Sequence, residues 1–304
     1  MSKALTPSVV TLPNVAGPYP SILDFLARSF PHVARRDWLA RLHAGNILDE
    51  QSNPISITTA YTPGKRLYYF RATEVEPVVP FLETIVFQNE ELLVACKPHF
   101  LPVTPGGPFV NECLLNRLRS RTGIMDLAPL HRLDRDTAGL VLFSVNRKTR
   151  GRYHDLFMHG HVTKFYLAVV ELESAPALTD WIVENRIVRG EPRFRMKIAT
   201  GIVNARSHIT LLDYRAHRGL FGLSPQTGKT HQLRLHMSSL GFPILNDRVY
   251  PDLQPPLENN FEQPLQLLAK RLEFQDPVTG ERRVFESERE LLGSLRAGRS
   301  ACPG

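Results

Sequence analysis

Cysteine is scarce in this chain: Cys96, Cys113 and Cys302 are three among 304 residues, widely spaced and odd in number. They suggest neither a disulfide framework nor a metal-ligand cluster, so a reducing compartment, the cytoplasm, is expected. Long apolar runs are missing too. No stretch approaches the roughly 18 residues of a membrane span. Pro7, Pro13, Pro18 and Pro20 interrupt every apolar stretch near the start, so no signal peptide is expected. There is no recognisable dinucleotide fingerprint and no internal repeat, and neither a cofactor nor a metal is called for. Acidic residues are in the minority, 30 against 37 Lys plus Arg, which leaves a net charge of +7 and a pI near 9.5. A basic surplus favours a polyanionic partner, of which nucleic acid is the commonest soluble one. A surface tuned only for solubility is the plain alternative, and charge by itself does not decide between them.

What is present suits a folded protein. The length allows one large domain plus a small one, and 42% hydrophobic residues with 22% charged exclude broad disorder. Residues 1–20 read as an extended, Pro-rich arm. Ile22 to Phe30 and Arg35 to His43 carry short helical patterns, the second ended by Gly45 as a C′ residue. Short strand-like pieces fill 46–71, and Val75 to Pro80 reads as a linker. Beyond it, 84–87 and 91–95 read as a strand pair, Glu112–Arg121 as a helix, and Gly139–Val145 as a strand buried on both faces. Lys148–Met158 reads as a helix, Phe165–Leu172 as a strand, and 207–214 with 220–223 as a hairpin. A helix over Thr230–Leu240 and a strand over Leu265–Phe274 complete the pattern. Strands and helices do not alternate strictly, so an α+β domain with a mixed sheet is expected.

Three segments carry candidate chemistry. In His131-Arg132-Leu133-Asp134-Arg135-Asp136-Thr137 a charged loop runs straight into the buried strand, which would place Asp134 by a rigid element. A solvated loop with ordinary ion pairs is the competing reading. In Pro225 to His236 a Thr-Gly turn precedes a helix, so backbone N–H groups and Lys229 could receive a phosphate. His231 and Arg234 share a helix face; His231 and His236, five apart with no acid between them, do not suit a zinc-protease-type site. In Lys164-Phe165-Tyr166-Leu167-Ala168 strand alternation puts Lys164 and Tyr166 on one face, where Tyr166 could stack a base, although such a tyrosine is more often core.

Together these segments resemble the RluA-type family of pseudouridine synthases, over about residues 81–285. Lys97-Pro98 with Pro102 and Thr104-Pro105 resembles the family's first motif and His131–Leu140 its second and strongest. Lys164–Ala168 resembles the third and Pro225–His236 the fourth, followed by Gly241-Phe242-Pro243-Ile244 with Asp247 and Tyr250, and by Leu272, Phe274, Pro277 and Gly280. Departures are Lys229 where Arg is usual, Asn246 where Gly is usual, Leu268 in place of a frequent His, and His99-Phe100 in the first motif. They bear on substrate choice more than on chemistry. Residues 21–78 resemble, more loosely, the small alpha-L-type RNA-binding domain often fused to these enzymes, through Leu23–Leu26, Arg35-Arg36 and Gly45; Leu48-Asp49 and Lys65 depart from it.

The resemblance implies a pseudouridine synthase fold: a mixed, largely antiparallel central sheet flanked by helices over 79–304, plus a small N-terminal α/β RNA-binding domain. It implies Asp134 as nucleophile, Tyr166 stacked on a flipped uracil, and Arg234 paired with Asp134 to keep it ionised. It implies substrate contacts from Arg132, His131, Lys164, Thr230 and His231. The reaction is redox-neutral, its substrate is structured RNA, ribosomal or transfer, and a monomer away from membranes is expected. A catalytically silent RNA-binding or ribosome-assembly protein is the main alternative, and a nucleotide hydrolase using His231 and His236 a third. Retention of Asp134, Tyr166 and Arg234 together speaks against the silent protein.

Overall fold

Why a short basic segment can hold a core of its own is visible in the first of two compact units, Met1–Pro77 with Pro105–Asn111. A computed structural model describes every residue except 1, 5, 6, 16, 18, 32, 74, 256–260 and 292–304, so Cys302 and the end of the 79–304 domain lie outside the described residues. Strand β1 (Ser2–Lys3) pairs with β5 (Ala72–Thr73), while β2 (Ser8–Thr11), β4 (Arg66–Tyr69) and β3 (Ile47–Leu48) form a sheet in the order β2-β4-β3. Helices α1 (Ile22–Ser29) and α2 (Arg35–His43) pack apolar faces into it. Leu12, Ile22, Leu26, Trp38, Ile47 and Leu67 meet in one buried cluster. Ser21 starts α1 by accepting the Asp24 amide at 3.2 Å on its side chain. Gly45, at φ +65, ends α2 and lets the amide of Asn46 reach the Arg41 carbonyl at 2.9 Å. The segment read as an extended arm over 1–20 is tied into this unit at residues 8–12. Residues 8–11 are a strand, and Leu12 is 1% exposed in the core. Prolines at 7 and 13 bound a run of only five residues, Ser8 to Leu12, near the shortest that reads as a strand.

The second unit, Val78–Thr104 with Glu112–Gly304, is built on an eleven-stranded sheet. Its elements are β6 (Thr84–Gln88), β7 (Leu92–Lys97), α3 (Leu114–Thr122), β8 (Ala128–Pro129), β9 (Ala138–Ser144), α4 (Arg150–Met158) and β10 (Thr163–Glu171). There follow β11 (Asp180–Arg189), β12 (Met196–Ala199), β13 (Ala205–Arg215), β14 (Arg218–Pro225), α5 (Gln232–Ser239), β15 (Leu267–Gln275) and β16 (Arg282–Glu286). The order is β12-β11-β13-β14-β10-β15-β9-β7-β6, with β16 on β15 and β8 on β9. Every pairing is antiparallel except β9 with β15. The sheet is therefore mixed and largely antiparallel, and the helices flank it, as expected. Among the described residues no helix is long and apolar enough to cross a membrane.

β7 and β9 are buried along their whole length, and the continuous apolar runs in the sequence reflect this. Leu92, Val94, Leu140, Leu142 and Tyr153 lie in one core cluster. The β13–β14 hairpin turns at Ala216 and His217, both at positive φ. Four strands of this unit escape the sequence reading: β8, β11, β12 and β16. In β11 every other residue from Asp180 to Arg186 is exposed, Glu184 and Arg186 break the apolar pattern on that face, and Arg189 is exposed at the strand's end.

One backbone contact sets the centre of the sheet. Gly139, φ +115, pairs with Ala269 of β15, and a Cβ there would meet the Ala269 carbonyl oxygen at 2.3 Å. Ala269 in turn pairs with Tyr166 of β10. The next residue of β15, Lys270, is extra relative to β10, and the register shifts between Phe165 and Tyr166. Gly139→Ala would meet both an unfavourable φ and a clash with backbone, neither of which a side-chain rotation relieves. We expect it to destabilise the protein by at least about 2 kcal/mol, read as a lowered midpoint in chemical denaturation. A change below about 0.5 kcal/mol, the size of an ordinary surface substitution, would mean that the strands part without cost.

Candidate active site

The loop between β8 and β9 carries Asp134 and is held from behind. Lys97, at the end of β7, is fully buried. Its Nζ donates to the carbonyls of Pro98 at 2.9 Å, Leu101 at 2.7 Å and Arg135 at 2.9 Å. Burial pulls the Lys97 ammonium down to about 7, opposed by the charges of Asp136 and Asp134. Three carbonyl acceptors need three protons and a neutral amine has two, so we assign the ammonium form. His99 contacts the Asp136 carbonyl at 2.8 Å through Nδ1, and the Thr137 amide donates to the Asp134 carbonyl at 3.2 Å. Asp134 thus sits on a braced turn with its carboxylate partly open, 27% exposed.

Helix α5 supplies the groups facing that carboxylate. Arg234 Nη1 stands 3.8 Å from Asp134 Oδ2, and His231 Nε2 stands 4.0 Å from Oδ1. Both are longer than hydrogen bonds, because each partner is committed elsewhere. Arg234 is held bidentately by Asp247, Nε to Oδ2 at 2.7 Å and Nη2 to Oδ1 at 2.6 Å. Burial works against its charge, but Asp247, with Asp134 and Asp136 beyond, outweighs burial and raises its pKa. Asp247 Oδ1 also accepts the amides of Val249 and Tyr250, at 2.8 and 3.1 Å. His231 caps α5 in the left-handed region, φ +55, and its Nδ1 lies 3.0 Å from the Tyr250 hydroxyl. That hydroxyl also accepts the Met196 amide at 2.8 Å and donates to the Met196 carbonyl at 3.1 Å. Burial lowers the pKa of His231, against the pull of Asp134. The turn 247–250 therefore orients both groups that face Asp134.

The third wall is β10. Tyr166 is 9% exposed, and burial, then the charge of Asp134, push its hydroxyl pKa up, so the phenol keeps its proton. Lys164 reaches the Thr227 carbonyl at 3.4 Å, and burial lowers its pKa. Gln232 pins the 225–231 loop: its amide nitrogen donates to the Arg206 carbonyl and to Ser207 Oγ, each at 2.9 Å, and its oxygen accepts from Thr227 Oγ1 at 2.7 Å and the Lys229 amide at 3.0 Å.

These walls enclose a cleft of about 830 Å³, and all eight residues singled out in the sequence line it: His131, Arg132, Asp134, Lys164, Tyr166, Thr230, His231 and Arg234. Arg132 and Thr230 are exposed at its edge. His131 is the most committed to the fold. Its Nε2 accepts the Leu142 amide at 3.0 Å, its ring stacks on Phe157 at 4.7 Å, and burial with Lys164 nearby lowers its pKa to about 3. His236 does not join the cleft; it is fully buried and its Nε2 faces Asn185 at 3.1 Å. The hydrolase using His231 and His236 fails on that separation, and among the described residues no group of three or more His, Cys, Asp or Glu could hold a metal. Asp247, Tyr250, Lys97 and His99 stood in the sequence only as points of resemblance or departure. A buried arginine demands a carboxylate, which is the one signal that could have singled out Asp247.

Residues 91–239 match the family model described as RNA pseudouridylate synthase. The dual-specificity RNA pseudouridine synthase RluA of Haemophilus influenzae is 31% identical over 224 residues, 71% of this chain and 96% of that protein. An uncharacterised RNA pseudouridine synthase of Synechocystis is 29% identical over 230 residues, 75% of this chain and 79% of its own. Human RNA pseudouridylate synthase domain containing 1 has the same fold, with a TM-score of 0.59 at 24% identity over 73% of this chain and 90% of that one. The protein is thus an RNA pseudouridine synthase, an isomerase. Within that class it belongs to the RluA-type family. Nothing in these relatives supports the catalytically silent alternative.

The His231–Tyr250 contact is open to test. Tyr250→Phe keeps the ring under Arg234, whose guanidinium carbon lies 5.6 Å from the ring centre, and removes only the hydroxyl. With His231 no longer held beside Asp134, we expect kcat to fall by about tenfold to a hundredfold with a smaller change in KM. Unfolding measured in parallel should show a loss of about 1–3 kcal/mol from the unpartnered Met196 amide. Unchanged kcat in a folded variant would show that Tyr250 serves stability alone.

Proposed function

We propose that Asp134 is the nucleophile of this synthase and that the target uridine enters the cleft flipped out of its RNA. The observation that carries the reading is the partly open Asp134 carboxylate, faced on one oxygen by Arg234 and on the other by His231. Isomerisation breaks the N1–C1′ bond of uridine and joins C5 to C1′. C5 loses a proton and N1 gains one, so the reaction needs neither oxidant nor external energy. A carboxylate serves this chemistry by attacking the sugar or ring carbon, or as a base at the sugar. The substrate is structured RNA, and ribosomal or transfer RNA fits the dual-specificity relative and a yeast mitochondrial relative named as a tRNA pseudouridine(32) synthase.

Flipping costs a few kcal/mol, which pocket contacts return. Tyr166 stacks on the uracil, a contact of about 1–3 kcal/mol, and its protonated hydroxyl suits stacking better than proton abstraction. Arg132, exposed at the edge of the cleft, fills the space that the base leaves or holds a neighbouring phosphate. The first unit carries Arg28, Arg35, Arg36, Arg41, Lys65, Arg66 and Arg71 and adds sequence-poor affinity for RNA. The protein acts as a cytoplasmic monomer on this reading.

Asp134→Asn keeps size and polarity and removes the charge. The variant is expected to fold and bind RNA yet release no tritium from 5-tritiated uridine in RNA. Near-normal release would sink the nucleophile assignment. Tyr166 separates two roles. Tyr166→Phe keeps the ring and should retain far more single-turnover activity than Tyr166→Ala, by roughly tenfold or more if stacking of this size is lost. Equal and severe losses in both would assign the hydroxyl rather than the ring.

A further inference from the structure

Helix α5 carries the two groups that face Asp134, yet it is only eight residues long, so what fixes it on the sheet bears on the site. Two polar side chains do this. Gln232 and His236 stand four apart and share one face of the helix. Gln232 holds the first turn to β13 through the Arg206 carbonyl and Ser207 Oγ. His236 holds the last turn to β11 through Asn185, Nε2 to Oδ1 at 3.1 Å. Arg234 lies between the two anchors and His231 just ahead of the first.

The second anchor lies outside the cleft, and its chemistry is uncommon for a core. His236 is fully buried. Burial lowers its pKa to about 4, so the ring is neutral and has one N–H to give. The side-chain carbonyl of Asn185 takes it, which puts the proton on Nε2 and leaves Nδ1 as an acceptor. Nδ1 is buried too, and among the described residues it has no hydrogen-bond partner. A buried polar atom left unpaired works against folding, and an apolar side chain would avoid it. The histidine is therefore explained by what its other nitrogen reaches. Asn185 marks the point where β11 stops pairing with β13, opposite Ala205, and goes on with β12 alone. Its backbone carbonyl accepts the amide of Asn204 at 3.0 Å, and Asn204 lines the cleft. One hydrogen bond thus joins the helix that carries Arg234 to the strand end beside a wall of the same cleft.

We infer that His236 is a positioning residue of the synthase: its hydrogen bond to Asn185 fixes how α5 sits on the sheet, and with it the 3.8 Å and 4.0 Å separations of Arg234 and His231 from Asp134. The inference rests on the reading of Asp134 as the reacting carboxylate. A histidine that only fills the core is the competing role.

The test uses H236F, H236Q and N185A in the full chain, with kcat and KM taken from tritium release on a structured RNA that the wild-type enzyme modifies. Phe fills the space of the ring without a donor, N185A removes the acceptor, and Gln offers an amide N–H where Nε2 stood. H236F and N185A are each expected to lower kcat about tenfold to a hundredfold, the cost of a small misplacement, with KM within about twofold of wild type. H236Q should recover most of the lost kcat. The double variant N185A/H236F should be no slower than H236F, because the two side chains act through one bond. A folded H236F or N185A with wild-type kcat overturns the inference. So does H236Q as slow as H236F, which would mean that the ring's shape and not its N–H is needed. Should H236F fail to fold, N185A decides alone, since Asn185 is only half-buried. D134N on the same RNA reads the nucleophile separately: release by that variant would remove Asp134 from the chemistry whatever the His236 variants show.

Discussion

The contact on which the rest of the site depends is the approach of two backbones at Gly139 and Ala269. One row of residues crosses three strands there: Gly139 on β9, Ala269 on β15 and Tyr166 on β10. It is also where the sheet's single parallel pairing occurs among the described strands. Asp134 lies five residues before Gly139 on a loop braced by Lys97 and His99, so it inherits its place from that row. A side chain at 139 would force the strands apart and move the Asp134 carboxylate away from the Tyr166 ring. The local cost of a left-handed glycine thus sets a long-range distance.

Electrostatics explain why the carboxylate remains available. A buried arginine left alone beside Asp134 would close onto it as a tight bidentate pair and occupy both oxygens. Asp247 prevents this by taking Nε and Nη2 of Arg234, and leaves Nη1 turned toward Asp134 at 3.8 Å. His231 is likewise restrained by the Tyr250 hydroxyl and stops at 4.0 Å. Both distances are too long for hydrogen bonds and short enough for charge to act in a partly dry cleft. The carboxylate is faced by its surroundings without being consumed by them, as the proposed nucleophile requires.

The legibility of the sequence follows the same division. The strand over 139–145 is visible because burial on both faces makes its residues uniformly apolar. The charged loop that ends at it is visible because nothing else in the chain sets so many ionisable groups against so apolar a run. The eight candidate residues come from segments far apart in the chain, and they converge on one cleft. The brace and the clamp are not legible in their roles. Lys97 works through three backbone carbonyls, and Asp247 and Tyr250 work through groups thirteen and nineteen residues earlier; a linear pattern carries neither. The β11–β12 ribbon, in which residues 186–189 pair with β12 alone, escapes for the opposite reason. An exposed two-stranded hairpin buries one residue in two at most, and its outward charges read as loop.

That failure has a physical meaning. Segments that pack on the fold's interior must be apolar at the fold's own period, and they announce themselves. A segment whose outward face carries cations loses the apolar alternation that would announce it. Arg186 and Arg189 do this in β11, and Lys197 does it in β12, while Ile187 and Met196 between them hold the ribbon to Leu235 and Tyr250. The same residues that hide these strands face outward, and the same tyrosine that seats them also contacts His231. The seat of the ribbon and the orientation of the groups that face Asp134 thereby meet at one turn, and a shift at either would be felt by the other.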